Sequence, residues 1–161
     1  MTDLSDTEAR RIATDLLEIT RSGMLNGDFT SFFKQFQLPQ TIMTFDGKTE
    51  VHTPEAFRKI FDDIRRYQHS LGVTDIVRYC VAASFKGPDR IETTHMTHLL
   101  SGERQLSASY PTFSVLSLID GDWRIILADY AVEPGSHLSR VLLQRVRDAE
   151  TQPPGPSDAQ S

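Results

Sequence analysis

The chain has 161 residues and a mass of 18.2 kDa, the size of one domain with a single core. Its 17 Lys and Arg against 22 Asp and Glu leave a formal charge of −5 and a pI near 5.5, which argues against a surface built to coat nucleic acid or an anionic membrane. No apolar run approaches the roughly eighteen residues needed to cross a bilayer, and a lone Cys80 excludes an internal disulfide and a multi-cysteine zinc site.

The opening residues, Met1 to Asp6, carry neither the basic start nor the apolar stretch of a secretory signal, so a cytoplasmic location is expected. Ser5 and Glu8 form an S-x-x-E capping box. Ala9, Ile12, Ala13, Leu16 and Leu17 then recur at helical spacing, with Gly23 as the expected stop. Asn26-Gly27-Asp28 is turn chemistry, and Asp28 caps a short second helix carrying Phe29, Phe32, Phe33 and Phe36 before Pro39 breaks it. Such aromatic density marks core or pocket wall.

Gln40 to Phe45 reads as a strand closed by the Asp46-Gly47 turn. Thr53-Pro54-Glu55 supplies a capping hydroxyl, a proline at the first helical position and an acid at the positive end of the dipole. A helix to about Ser70 follows, with Phe57, Ile60, Phe61 and Ile64 on one side and Gly72 at its end. From Val73 the period changes to two. Val73 to Phe85, Arg90 to Leu100, Leu106 to Ile119 and Trp123 to Val132 form four β-rich runs with short Gly-containing links, an antiparallel meander. Runs longer than an ordinary strand predict bends or bulges and a sheet that curls. Ser136 to Ala149 is a further helix. Residues 1–149 thus make one domain, and 150–161, rich in Pro, a disordered tail.

This order resembles the nuclear transport factor two-like superfamily, and its SnoaL-like branch in particular. The resemblance rests on Asn26-Gly27-Asp28-Phe29, Phe45-Asp46-Gly47, Thr53-Pro54-Glu55-Ala56-Phe57 and Asp120-Gly121-Asp122-Trp123-Arg124-Ile125, across roughly residues 7 to 132. It implies an α+β, cystatin-like fold: a cone in which a curved mixed or antiparallel sheet wraps around N-terminal helices. The superfamily includes ketosteroid isomerase, scytalone dehydratase, limonene-epoxide hydrolase, polyketide cyclases, dioxygenase β subunits and plain binding modules, so fold leaves function open. The tyrosine and Pro-Arg signature of dioxygenase β subunits is absent around Gln40 to Phe45.

Enzymes that this chain resembles hold a few polar groups in an apolar cone, where desolvation makes a carboxylate a useful general acid or base. If no bulge intervenes, Trp123, Ile125, Leu127, Asp129 and Ala131 share one face of the last strand. Asp129 is the first catalytic candidate, similar in placement to the aspartate of polyketide cyclases; the alternative is a salt bridge or a rim-facing acid. Asp75, on the face of Val77, Tyr79 and Val81, is a second acid or a turn acid beside Gly72. Tyr79, Tyr110 and Tyr130 offer hydroxyls that polarise a carbonyl, as the tyrosine of ketosteroid isomerase does, or pack with a wet tip.

His95 shares a face with Ile91, Thr93, Thr97 and Leu99 and is a candidate partner for Asp129 or Asp75, in a dyad similar to that of scytalone dehydratase. Its alternative is a cross-strand hydrogen bond or an interface contact. His95 and His98, three apart on a strand, point to opposite faces and make no metal pair. Cys80 inside a strand reads as inert packing. Neither a G-x-G-x-x-G turn nor a P-loop occurs, so no cofactor is implied. Phe29, Phe33, Phe57, Tyr110 and Leu127 are the candidate ligand wall.

Val115, Leu116, Leu118 and Ile119, with Ile125, Ile126 and Leu127, are apolar on both faces, which calls for a second subunit against the sheet. The expectation is a homodimer with a hydrophobic pocket for a small apolar or cyclic molecule, either a cofactor-independent isomerase, cyclase or dehydratase or a non-catalytic ligand-binding or assembly module.

Overall fold

The computed structural model describes residues 2–144. The tail expected over 150–161 and the end of the last predicted helix lie outside the described residues. The elements run α1 (Thr2–Asn26), α2 (Phe29–Phe33), β1 (Phe36–Thr44), β2 (Gly47–Val51), α3 (Pro54–Leu71), β3 (Asp75–Phe85), β4 (Arg90–Ser101), β5 (Arg104–Gln105), β6 (Tyr110–Ile119), β7 (Asp122–Tyr130) and α4 (His137–Leu142).

α1 buries the stripe of Ala9, Ile12, Ala13 and Leu16 against the sheet. It starts ahead of the Ser5 signal, and the Glu8 carboxylate accepts hydrogen bonds from Arg11 at 2.6 and 3.1 Å. Gly23 is not its stop. The helix passes through it, and the glycine serves a close contact, since a Cβ there would stand 3.0 Å from Phe32 Cβ and 3.1 Å from the Asp28 carbonyl oxygen. Glycine at this position lets α2 dock against α1. The helix ends instead at Gly27, whose φ of +71° suits a residue without a side chain.

α2 is shorter than expected, and Phe36 already belongs to β1, with Pro39 inside the strand. β2 was not anticipated: Gly47-Lys48-Thr49-Glu50-Val51 is polar, and Val51 is its buried residue. The Asp46-Gly47 turn does close the hairpin that joins β1 to β2. α3 follows its signals. Thr53 Oγ1 accepts from the Ala56 amide at 3.1 Å, Pro54 opens the helix, and Gly72 closes it at φ +79°.

The strand order is β2-β1-β7-β6-β4-β3, with β1 and β7 parallel and the other pairs antiparallel. The sheet is therefore mixed. Its inner face carries two apolar clusters. One joins Phe32, Phe57, Ile60 and Phe61 to Ile42, Ile76 and Leu99 and is completed by Leu138 and Leu142 of α4. The other packs α1 on Ile91 and Leu116. A polar clasp fastens α4: Ser139 Oγ donates to Asp46 Oδ2 at 2.7 Å and lies 2.7 Å from Thr44 Oγ1.

Two bulges decide which side chains face inward. In β3 the register passes from Cys80↔His95 to Ala82↔Thr94, leaving Val81 over. In β7 it passes from Leu116↔Ile125 to Val115↔Leu127, leaving Ile126 over. An extra residue reverses the two-residue alternation beyond it.

Candidate functional site

The long strands build the site in rungs. Arg78, Thr97 and Tyr110 lie opposite one another across β3, β4 and β6, and His95, Thr112 and Tyr130 form the next rung. Thr93, Ser114 and Ala128 come third, then Ile91, Leu116 and Ile125. The rungs grade from polar to apolar. Leu16, Leu17 and Thr20 of α1, with Phe32 and Phe36, pack over them around a cavity of about 60 Å³.

The sequence explains the polarity of this wall. β4 alternates without interruption, so Ile91, Thr93, His95, Thr97 and Leu99 are buried while Glu92, Thr94, Met96 and His98 are less so. The face expected for His95 is the face it takes. Burial first, and the nearby Arg78 guanidinium second, hold its pKa down to about 3, so the imidazole is neutral at physiological pH. Burial pushes the Tyr110 phenol up to about 12 and raises that of Tyr130, with Arg78 pulling both the other way. Both phenols are protonated donors. Arg78 Nη1 donates to Thr20 Oγ1 at 2.9 Å, and the buried Nε has no partner.

Of the residues singled out from the sequence, His95 and Tyr110 stand together in this cavity, and Tyr130 joins them. Asp129 does not line it. The bulge at Ile126 turns Leu127 and Asp129 to the outer face, where Asp129 lies opposite Met43 on β1 and Phe113 on β6. The expected row of Trp123, Ile125, Leu127 and Asp129 is split at that point, and Leu127 leaves the ligand wall with it.

Asp75 is a tether between sheet and helix: its Oδ1 accepts from Arg21 Nη2 and from the Ile76 amide, both at 2.8 Å. Tyr79 is half exposed on the outer face, stacked on His98 at 5.7 Å between ring centroids. With Asp75 held by Arg21 and Asp129 on the outer face, the dyads expected between His95 and either acid do not form. Phe29, Phe33 and Phe57 pack in an aromatic cluster, Phe29 on Phe33 at 5.2 Å and Phe33 on Phe57 at 5.5 Å. The cone takes Phe32 and Phe36 instead, from the other side of the same short segment.

Thr93 and Thr97 stand beside His95 on the face expected for them, whereas sequence reasoning missed Arg78 and Ser114. Their signal was parity: the apolar row Val77 and Tyr79 reads as the core face, yet it is the exposed one, and Arg78 points inward. A wider groove of about 840 Å³ runs between α1 and the start of β7. It is the more open of the two, and two of its charged groups have partners, Arg11 with Asp15 at 3.0 Å and Arg124 with Gln37 at 3.1 Å. The cone's cavity, where His95, Tyr110, Tyr130 and Arg78 converge on apolar walls, is the better site. Among the described residues no cluster of three His, Cys, Asp or Glu is arranged to hold a metal ion, and no helix is long and apolar enough to cross a membrane.

No protein-family model and no curated protein matches the sequence. Solved structures do match by shape. An NTF2-like protein with a cystatin-like fold from Novosphingobium aromaticivorans is 15% identical, with a TM-score of 0.60 over 86% of this chain and 90% of its own. A domain of unknown function with a cystatin-like fold from Nostoc punctiforme, also 15% identical, reaches 0.59 over 96% of this chain and 91% of its own. An NTF2-like protein of unknown function from Shewanella baltica is 14% identical, at 0.58 over 80% and 97%. At such identities the likeness carries fold alone. The chain has the nuclear transport factor two-like, cystatin-like fold, an α+β cone of helices held in a curved mixed sheet.

Proposed function

We propose that the cone binds a small apolar or cyclic molecule and that the protein acts as a ligand-binding module. The observation that carries this reading is the cone's cavity, graded from Leu116 and Ile125 at one end to Arg78, His95, Tyr110 and Tyr130 at the other. A pocket that is mostly apolar with a few convergent polar groups is the usual form of a small-molecule site.

Isomerase, cyclase or dehydratase chemistry of the SnoaL-like kind draws support from His95 standing beside two phenols. Binding is favoured over it because the lining residues include no carboxylate and because an imidazole held to about 3 is a poor base at neutral pH. Pairing of two copies through the sheet is part of the proposal. Val77, Tyr79 and Val81 on β3 and Phe113 on β6, with β4 between the two strands, are all more than a third exposed, an apolar surface a second sheet would cover. Cys80, a free thiol 3.6 Å from Thr93 Oγ1, suits a reducing cytoplasm.

Native mass spectrometry of protein purified without denaturation tests both parts. The expected spectrum is a dimer carrying a defined small adduct. Ala128→Leu, which fills the cavity from its buried wall, should lose the adduct and keep the dimer. An adduct that survives Ala128→Leu would move the ligand out of the cone, and a monomer would remove the pairing.

A further inference from the structure

Arg78 is the charged member of the cavity wall at neutral pH, since the remaining lining residues are apolar, hydroxyl-bearing or the neutral His95. Several arginines elsewhere meet carboxylates, Arg11 with Glu8, Arg21 with Asp75, Arg58 with Asp62 and Arg66 with Asp63, while Arg10, Arg65 and Arg140 donate to backbone carbonyls. Arg78 meets no carboxylate among the described residues. Its Nη1 rests on Thr20 Oγ1, a neutral oxygen whose own proton goes to the Leu16 carbonyl at 2.9 Å. Its Nε is buried without an acceptor.

An uncompensated guanidinium facing an apolar cavity is costly, and a fold that keeps one gains from an anion that can sit on it. The surroundings do not cancel the charge. On the far side of Arg78 the wall holds Arg10 and Arg21 with Glu18, and Glu18 is engaged by Arg21 at 3.2 Å. Inside, Thr97 stands opposite Arg78 and the guanidinium acts on the Tyr110 and Tyr130 phenols, hydroxyls that bring no competing negative charge.

We propose that the ligand of the cone is a small organic acid, its carboxylate seated on Arg78 and its single ring or short chain lying against Phe36, Leu116 and Ile125. The proposal deepens the pocket reading and rests on it. Guanidinium is matched to carboxylate by its planar fork, and the hydrogen bond that Arg78 makes is to a neutral oxygen, Thr20 Oγ1. A cavity of about 60 Å³ sets the small size. The buried phenols, Tyr110 raised to about 12 and Tyr130 raised as well, stay protonated beside an anion and can donate to its second oxygen.

Calorimetric titration of the whole chain with benzoate and its uncharged amide, and with butyrate and butyramide, tests this in low-chloride buffer. The acid of at least one pair should bind about ten- to a hundred-fold tighter than its amide, the range of a charge-assisted hydrogen bond. Arg78→Gln should bring that acid to the level of its amide, and Arg78→Lys should retain part of the preference. Equal affinity of acid and amide in the unmutated protein would leave the pocket standing and overturn the charge assignment. An acid preference that survives Arg78→Gln would assign it to another cation and overturn the proposal too. If no acid and no amide saturates, the pocket reading falls and this proposal with it. The comparison of acid with amide stands on the unmutated chain, so a poorly folding Arg78→Gln does not remove the test.

Discussion

His95 ties the site to stability in a way that can be measured. Its imidazole is 9% exposed on the inner face of β4, and its pKa is lowered from 6.5 to about 3, by burial and then by Arg78. Below pH 6.5 the unfolded chain takes up a proton at this residue and the folded chain does not. Stability from a neutral His95 is therefore complete above pH 6.5 and declines as the pH falls toward 3. Each unit of that interval is worth about 1.4 kcal/mol. Between pH 6.5 and about pH 4 the loss from this residue comes to about 3 kcal/mol, a large share of the total for a small domain. The perturbation is His95→Gln, which keeps a polar side chain and removes the titration. Urea unfolding at several pH values gives the free energy of each protein, and the difference between them isolates His95, because the remaining groups titrate in both. The difference should shrink by about 3 kcal/mol from pH 6.5 to 4. Parallel acid curves would refute the buried neutral imidazole.

Phe61, 2% exposed and 4.9 Å from the Phe32 ring, should cost about 3–5 kcal/mol as Phe61→Ala in urea unfolding, and a loss below about 1 kcal/mol would mean that the aromatic cluster repacks. Gly23→Ala sets a helix-propensity gain of about 1 kcal/mol against overpacking of about 1–3 kcal/mol, with Phe32 Cβ at 3.0 Å deciding the sign. A lower melting temperature is expected, and a higher one would show that α2 gives way. Phe113→Glu places a charge in the exposed apolar patch and should turn a dimer into monomer in sedimentation velocity at micromolar concentration; an unchanged sedimentation coefficient would place the interface elsewhere.

How far the sequence discloses the molecule depends on which physical signal each residue carries. Thr53-Pro54-Glu55 and Gly72 bracket α3 because caps act locally and need no tertiary partner. β4 was legible because its pattern of Ile91, Thr93, His95, Thr97 and Leu99 runs unbroken. β2 was not, since a polar edge strand gains its place from pairing with β1. Pro39 misled for the same reason, being read as a breaker where tertiary pairing sustains a strand. The site failed on parity. A bulge has no composition of its own in Ile125-Ile126-Leu127, three apolar residues in a row, so nothing local says that the face changes between Ile125 and Asp129.

β3 carries the complementary error, and together the two invert the charge of the pocket. Val77 and Tyr79 form the apolar row that hydrophobic patterning assigns to the interior, while Arg78 belongs to the polar row. That rule presumes water on the other side of the sheet. Where an outer face is itself apolar and exposed, as with Val77 at 38% and Tyr79 at 50%, the rule loses its sign. With Asp129 inside and Arg78 outside, the cone would hold a carboxylate suited to proton transfer. With the faces as they stand, it holds a guanidinium, a neutral imidazole and protonated phenols, all of them able to donate a hydrogen bond. Such a set is matched to an incoming anion and ill matched to abstracting a proton. The placement of two residues, Arg78 and Asp129, thus separates a host for acids from a general-base enzyme on the same fold.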